Sequence, residues 1–103
     1  MKQKENKFRA SSAWKKFRKQ MADKFNHIDP VTQKNLRKGY NLHHLNLNKD
    51  EYTNITNEEH FIPLNKNTHE VIHFCYNYAK KDPEFMERLC YFVQKMLEIN
   101  NNL

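Results

Sequence analysis

Apolar residues recur at three- and four-residue steps early in the chain, at Trp14, Phe17, Met21 and Phe25. That spacing lines one face of a helix from about Ala13 to Phe25, with Ser11 or Ser12 suited to cap it. Lys15, Lys16, Arg18, Lys19 and Lys24 cover much of the other faces. The period is lost from Asn26 to Asn35, where Asp29-Pro30 and Thr32-Gln33 mark a turn-rich connection. An apolar, strand-like run follows, Tyr40-Asn41-Leu42-His43-His44-Leu45, entered through Gly39 as a bulge or turn. Asn46 to Glu59 is a long polar stretch of the kind that is functional or mobile. Phe61-Ile62-Pro63-Leu64 reads as a short strand whose proline favours an edge.

Helical spacing returns from about Thr68 to Lys80, with Asn67 and Glu70 as a capping pair. Val71, Ile72, Cys75 and Tyr78 or Ala79 mark its core face, and His69, His73 and Tyr76 share another. A last helix starts with Asp82 as cap and Pro83 as first residue. Its stripe is Phe85, Leu89, Phe92, Val93, Met96 and Leu97. Phe61, Phe74, Tyr78 and Phe92 read as core aromatics. Residues 1–10 are charged and aperiodic, which reads as a disordered basic arm. The remainder, 11–103, reads as one small α+β domain.

Charge changes this picture more than composition does. The chain has 103 residues, 38% of them apolar; its mean hydropathy is -1.06, so the core must be thin. Net charge is +6, but residues 1–38 carry 12 Lys/Arg against three acids and the rest six against nine. A basic half beside an acidic one points to a polyanion such as nucleic acid, against the plainer account of a solvated tail. Cys75 and Cys90 form no C-x-x-C pair, so buried free thiols in a reducing cytoplasm are expected. No stretch reads as a membrane span or signal peptide.

The histidines carry the chemistry. His43 and His44 are adjacent on a strand, and His69 and His73 are four apart on a helix, where they share a face. Two imidazoles so placed can grip one metal ion, and a strand alongside can add a third. Side chains alternate along a strand, so His43 and His44 point opposite ways. One is free to bind metal while the other works on substrate. Four of the six histidines therefore fit one site, and His27 has no place in it.

Basic helix, strand with His-His, long loop, short strand and helix with His-x-x-x-His is an order that resembles the HNH endonucleases. The residues carrying the resemblance are Leu42-His43-His44-Leu45 and His60-Phe61-Ile62-Pro63-Leu64-Asn65-Lys66-Asn67-Thr68-His69. Ser12-Ala13-Trp14-Lys15-Lys16-Phe17-Arg18-Lys19-Gln20-Met21 is similar to a helix that often precedes the motif in small phage HNH proteins. The resemblance spans roughly residues 11–78. It implies a ββα-metal (His-Me finger) core over about 36–80 with flanking N- and C-terminal helices.

It also implies distinct roles. His44 matches the general base that activates water, and an imidazole titrates close enough to neutrality to take that proton. His43, His69 and His73 match ligands of one divalent ion, which in such sites neutralises the phosphodiester and its leaving oxyanion. Imidazoles suit Zn, Ni or Mn, and Mg remains open. His60 falls where the family has an asparagine that braces the loop and orients the base. The cysteine pairs that hold zinc in many relatives are absent, so Phe25 to Asn35 is expected to hold its shape by packing. Arg37 and Lys38, just before the His43 strand, are the preferred phosphate contacts. Lys15, Lys16, Arg18 and Lys19 form a second patch.

The expectation is thus a cytoplasmic, metal-dependent DNA endonuclease, monomeric or weakly dimeric, with no membrane association. The rival is an HNH-fold DNA-binding module that keeps its metal but has lost catalysis through His60. A structural zinc site in a protein-interaction domain is a third, weaker reading.

Overall fold

The computed structural model describes residues 11–47, 55 and 57–101. The expected arm at 1–10 and most of the 46–59 loop lie outside the described residues. The described residues form a mixed α+β architecture of three helices and a two-stranded antiparallel sheet. Contacts group the chain into two compact units, Met1–His69 and Glu70–Leu103, divided within a helix.

The first unit opens with α1, Ser12–Lys24, whose N-cap is Ser11; its hydroxyl accepts from the Trp14 N–H at 3.2 Å. The helix ends in a Schellman motif. His27 N–H donates to the Ala22 carbonyl at 2.8 Å and Asn26 N–H to that of Asp23 at 3.0 Å. Asn26 takes the left-handed conformation this closure needs, with φ 57°. The expected stripe of α1 is the core. Phe17 and Met21 are buried with Phe61, and Trp14, Phe25, Leu42 and Ile55 pack against them. The Phe17 and Phe61 rings meet edge-on at 5.0 Å, a favoured aromatic geometry.

Strands β1 (Asn41–His44) and β2 (Phe61–Leu64) pair antiparallel, His43 opposite Ile62 and His44 opposite Phe61. Pro63 is tolerated because each strand of a two-stranded sheet is an edge. Gly39 resolves as a turn rather than a bulge. Its φ is +84°, and the Tyr40 N–H closes the turn on the Arg37 carbonyl at 3.0 Å.

The connection from Phe25 to Asn35 is held by hydrogen bonds more than by packing, which corrects the sequence expectation. Asp29 is fully buried. Its Oδ1 accepts from the N–H groups of Val31 (2.8 Å) and Thr32 (3.1 Å), and its Oδ2 from Asn65 (3.0 Å). Burial pushes the Asp29 carboxyl up, but the hydrogen bond from the Thr68 side chain and those from the three backbone N–H groups outweigh it. The pKa lies below the ordinary 3.8. This carboxylate sets the start of α2, Lys66–Ala79. The helix therefore begins earlier than the Asn67–Glu70 pattern indicates. His69 N–H donates to the Asn65 carbonyl at 2.9 Å, so Asn65 stands at the cap position.

In the second unit α2 continues and α3 spans Phe85–Asn100. Asp82 and Pro83 precede α3 in a turn instead of capping it, the Asp82 side chain accepting from the Glu84 N–H at 3.2 Å. The expected core faces are not buried here. Val71, Phe74, Tyr78, Phe92, Val93, Met96 and Leu97 are exposed. Both cysteines are free, but Cys75 is only half-buried and Cys90 is exposed. An apolar stripe becomes core only where a second layer crosses it. Here the two helices meet at their turn, where Tyr78 stacks on Phe85 at 4.8 Å, and no α3 residue is buried. No helix among the described residues is long and apolar enough to cross a membrane.

The Asp29 linkage sets a pH dependence. A lowered folded pKa means that the carboxylate stabilises the fold fully above about 3.8 and progressively less as pH falls through the folded value. Asp29→Ala is expected to cost about 3 kcal/mol at pH 7, having lost charge-assisted hydrogen bonds. Urea unfolding at pH 7, 5 and 3 should show the gap to wild type constant over the first two and smaller at the third. An equal gap at all three would contradict the linkage.

Candidate functional site

The antiparallel register decides which histidines meet. His43 is buried, 7% exposed, and its ring lies edge-on to that of His69 with centroids 4.9 Å apart. His73 follows His69 by one turn of the continuous helix α2. One ligand atom from each of His43, His69 and His73 falls within 4.8 Å of the others. This is the trio read from the sequence.

Their donor chemistry fits a divalent transition ion. Three nitrogens about 2.1 Å from a common centre stand roughly 3 to 3.5 Å apart. The trio's donor atoms, all within 4.8 Å of one another, come near that spacing. Imidazole nitrogens are suitable ligands for zinc, nickel or manganese.

His44 takes the other face of β1. Its ring packs on Phe61 with centroids 4.4 Å apart, and its Nδ1 is buried. The aromatic core built on α1 thus backs this imidazole and holds it away from the trio. The His60 ring lies 6.4 Å from that of His44, centroid to centroid. His60 closes a 3-10 turn, Glu58–His60, and its carbonyl accepts from the Leu45 N–H at 2.6 Å. It therefore joins the end of β1 to the entry of β2.

Two neighbours of His60 carry no sequence signal strong enough to single them out. The Asn57 side-chain amide lies 3.3 Å from His60 Nε2 and 3.4 Å from Nδ1. Asn57 precedes the 3-10 turn, which brings position i against i+3. Glu58 accepts from Gln20 at 3.0 Å and pairs with Lys24 at 3.2 Å, which ties the turn to α1. The i to i+3 spacing could have pointed to Asn57; the Glu58 contacts span more than 30 residues and are invisible to local patterns.

The expected phosphate contacts divide by environment. Lys15, Lys16 and Lys19 are exposed along α1, and Arg37 and Lys38 are exposed before β1. Arg18 is engaged: its guanidinium stands 3.7 Å from the centre of the Tyr40 ring and donates to the Tyr40 carbonyl at 2.6 Å. It tethers α1 to the entry of β1. His27 lies apart from the cluster, on Asp23 at 2.6 Å.

No family model, curated protein or solved structure matches the chain.

The trio makes a direct prediction. Titration of the metal-free protein with Co2+, followed by visible absorption and calorimetry, should give one ion per chain. His69→Ala should weaken binding by about 100-fold or more, since ligand loss exceeds the effect of outer-shell changes. His44→Ala should bind like wild type. Equal loss in both variants would mean that His44 is a ligand and the assignment of faces is wrong.

Proposed function

We propose that the protein is a metal-dependent DNA endonuclease of the HNH type, with His43, His69 and His73 as metal ligands and His44 as general base. The observation that carries this reading is the split of the His43-His44 pair: one imidazole joins two helical histidines, and its neighbour is kept on the opposite face. The order β1, loop, β2, α2 agrees with the ββα arrangement that the sequence resemblance implies. A divalent ion bound by the trio would supply charge neutralisation for the scissile phosphate and its leaving oxygen.

The other steps fall to the chain's own groups. His44 has its Nδ1 buried, so Nε2 is the nitrogen to take the proton of an attacking water. Phe61 behind it fixes the ring plane. His60, tied to Leu45 through its backbone and beside Asn57 through its ring, stands in for the bracing asparagine as a positioning residue. Exposed lysines and arginines would hold the strand without reading bases, since phosphate contacts position and do not specify. The departure at His60 favours one rival, a module that binds metal and DNA without cutting.

Supercoiled plasmid nicking with Mg, Mn, Ni or Zn tests the proposal. Nicking should require metal, stop on chelation, and fall at least about 100-fold in His44→Ala, the range of general-base loss. DNA binding should survive that substitution. Intact binding without nicking under every metal would select the non-catalytic module. His60→Asn adds a second readout: a higher rate would mark the histidine as a damaging departure, and an unchanged rate would make it a competent brace.

A further inference from the structure

The turn before β1 and the start of α2 enclose a cleft of about 550 Å³ that the histidine site does not use. Four cations line it: Lys34, Arg37, Lys38 and Lys66. All four are exposed, and among the described residues none takes part in an ion pair. Among the described residues no acidic side chain lines the cleft. The nearest carboxylate by connectivity, Asp29, is fully buried behind it and already accepts from Val31, Thr32 and Asn65. Asp29 also serves the first turn of α2, so the cleft's pull on an anion comes from side chains, not from the helix terminus.

The walls are preformed. The Asn65 side chain staples them together: its Oδ1 accepts from the Arg37 N–H at 2.7 Å, and its Nδ2 donates to the Asn35 carbonyl at 3.0 Å. Four like charges around one hollow repel one another unless an anion lies between them. Rigid walls mean that little ordering is lost when it binds.

The geometry points to this cleft as the seat of a nucleic-acid strand, gripping its phosphodiesters beside the metal site. The inference deepens the nuclease reading and rests on it for the identity of the strand as DNA. Two connections aim the strand. Tyr40 lines the cleft, and His43 lies three residues further along the extended chain, about 10 Å away. Thr68 also lines it and immediately precedes His69. A strand held in the cleft therefore reaches the trio within about three nucleotide steps of 3.4 Å. The room is ample for a sugar-phosphate unit, and the lining offers amide and hydroxyl groups beside the Tyr40 ring. Lys66, which no local pattern groups with Lys34, Arg37 and Lys38, becomes a contact of the same strand.

The test measures affinity for a labelled duplex by fluorescence anisotropy in chelator, over a series of salt concentrations. The full chain, Lys34→Gln/Lys66→Gln and a charge-matched control, Lys80→Gln/Lys81→Gln, are compared. The cleft variant should bind about tenfold more weakly, and its log-log salt slope should fall by about 1.8, roughly 0.9 per lost phosphate contact. The control should keep the wild-type slope. Cleft and control variants behaving alike would overturn the inference, because net charge alone would then explain binding. Inorganic phosphate binding as tightly as the duplex would overturn the assignment to a strand. Plasmid nicking separates this result from the nuclease reading. A wild type that binds through the cleft but never nicks sinks catalysis and keeps the cleft. A wild type that nicks, with a cleft variant that binds and nicks equally well, does the reverse.

Discussion

Asp29 gives up its water entirely and takes in exchange the N–H groups of Val31, Thr32 and Asn65 and the Thr68 side chain. A buried charge is tolerated only when it is hydrogen-bonded on this scale. Its position at the first turn of α2 adds a favourable interaction with the helix dipole. The consequence reaches past the turn itself. By fixing where α2 begins, the carboxylate fixes the height at which His69 and His73 leave the helix. Asn65 reinforces the same junction from the other side, bonding the backbone of Asn35 and Arg37. The irregular segment from Phe25 to Asn35 is thus closed with one carboxylate and one amide.

The second constraint is register. His43 stands opposite Ile62 and His44 opposite Phe61. A one-residue slip would exchange the faces of the two imidazoles. Phe61 prevents it, because its ring is locked among Phe17, Trp14 and Met21. The apolar stripe of α1 therefore has a role beyond burial. It holds β2, β2 holds β1, and β1 presents His43 to α2 and His44 away from it. The Arg18–Tyr40 stack pins the near end of β1 to the same helix.

What was legible in the sequence follows from how local each signal is. The stripe of α1, the two strands and the spacing of His69 and His73 are set by neighbours within a turn or a pleat, and the structure has them where the pattern puts them. Local pattern marks Asp29 only as a turn residue, because its partners Asn65 and Thr68 lie more than 35 positions away. For the same reason local pattern misplaces the start of α2: Asn67 and Glu70 look like a cap, yet the cap position belongs to Asn65. Periodicity failed differently in α3. Phe92, Met96 and Leu97 have the spacing of a buried face but remain exposed. Spacing states which residues would share a layer, not whether a layer is present. The family roles of the histidines came from resemblance. The meeting of His43, His69 and His73 makes the metal part of that resemblance chemically workable, and His60 is the position where the two do not coincide.

Charge completes the argument, because a count of basic residues does not say which of them are available. Arg18 is committed to Tyr40, and Lys24 to Glu58. Both hold the fold together around the histidines. Lys34, Arg37, Lys38 and Lys66 are exposed and line one cleft. Although Lys66 belongs to the less basic part of the chain, folding brings it beside three cations from the basic half. The electropositive wall is therefore made by the junction of the turn and α2, which Asp29 and Asn65 build. The residues that set where the helical histidines stand also shape the electropositive wall beside them, so the histidine trio and the basic cleft depend on one buried polar cluster.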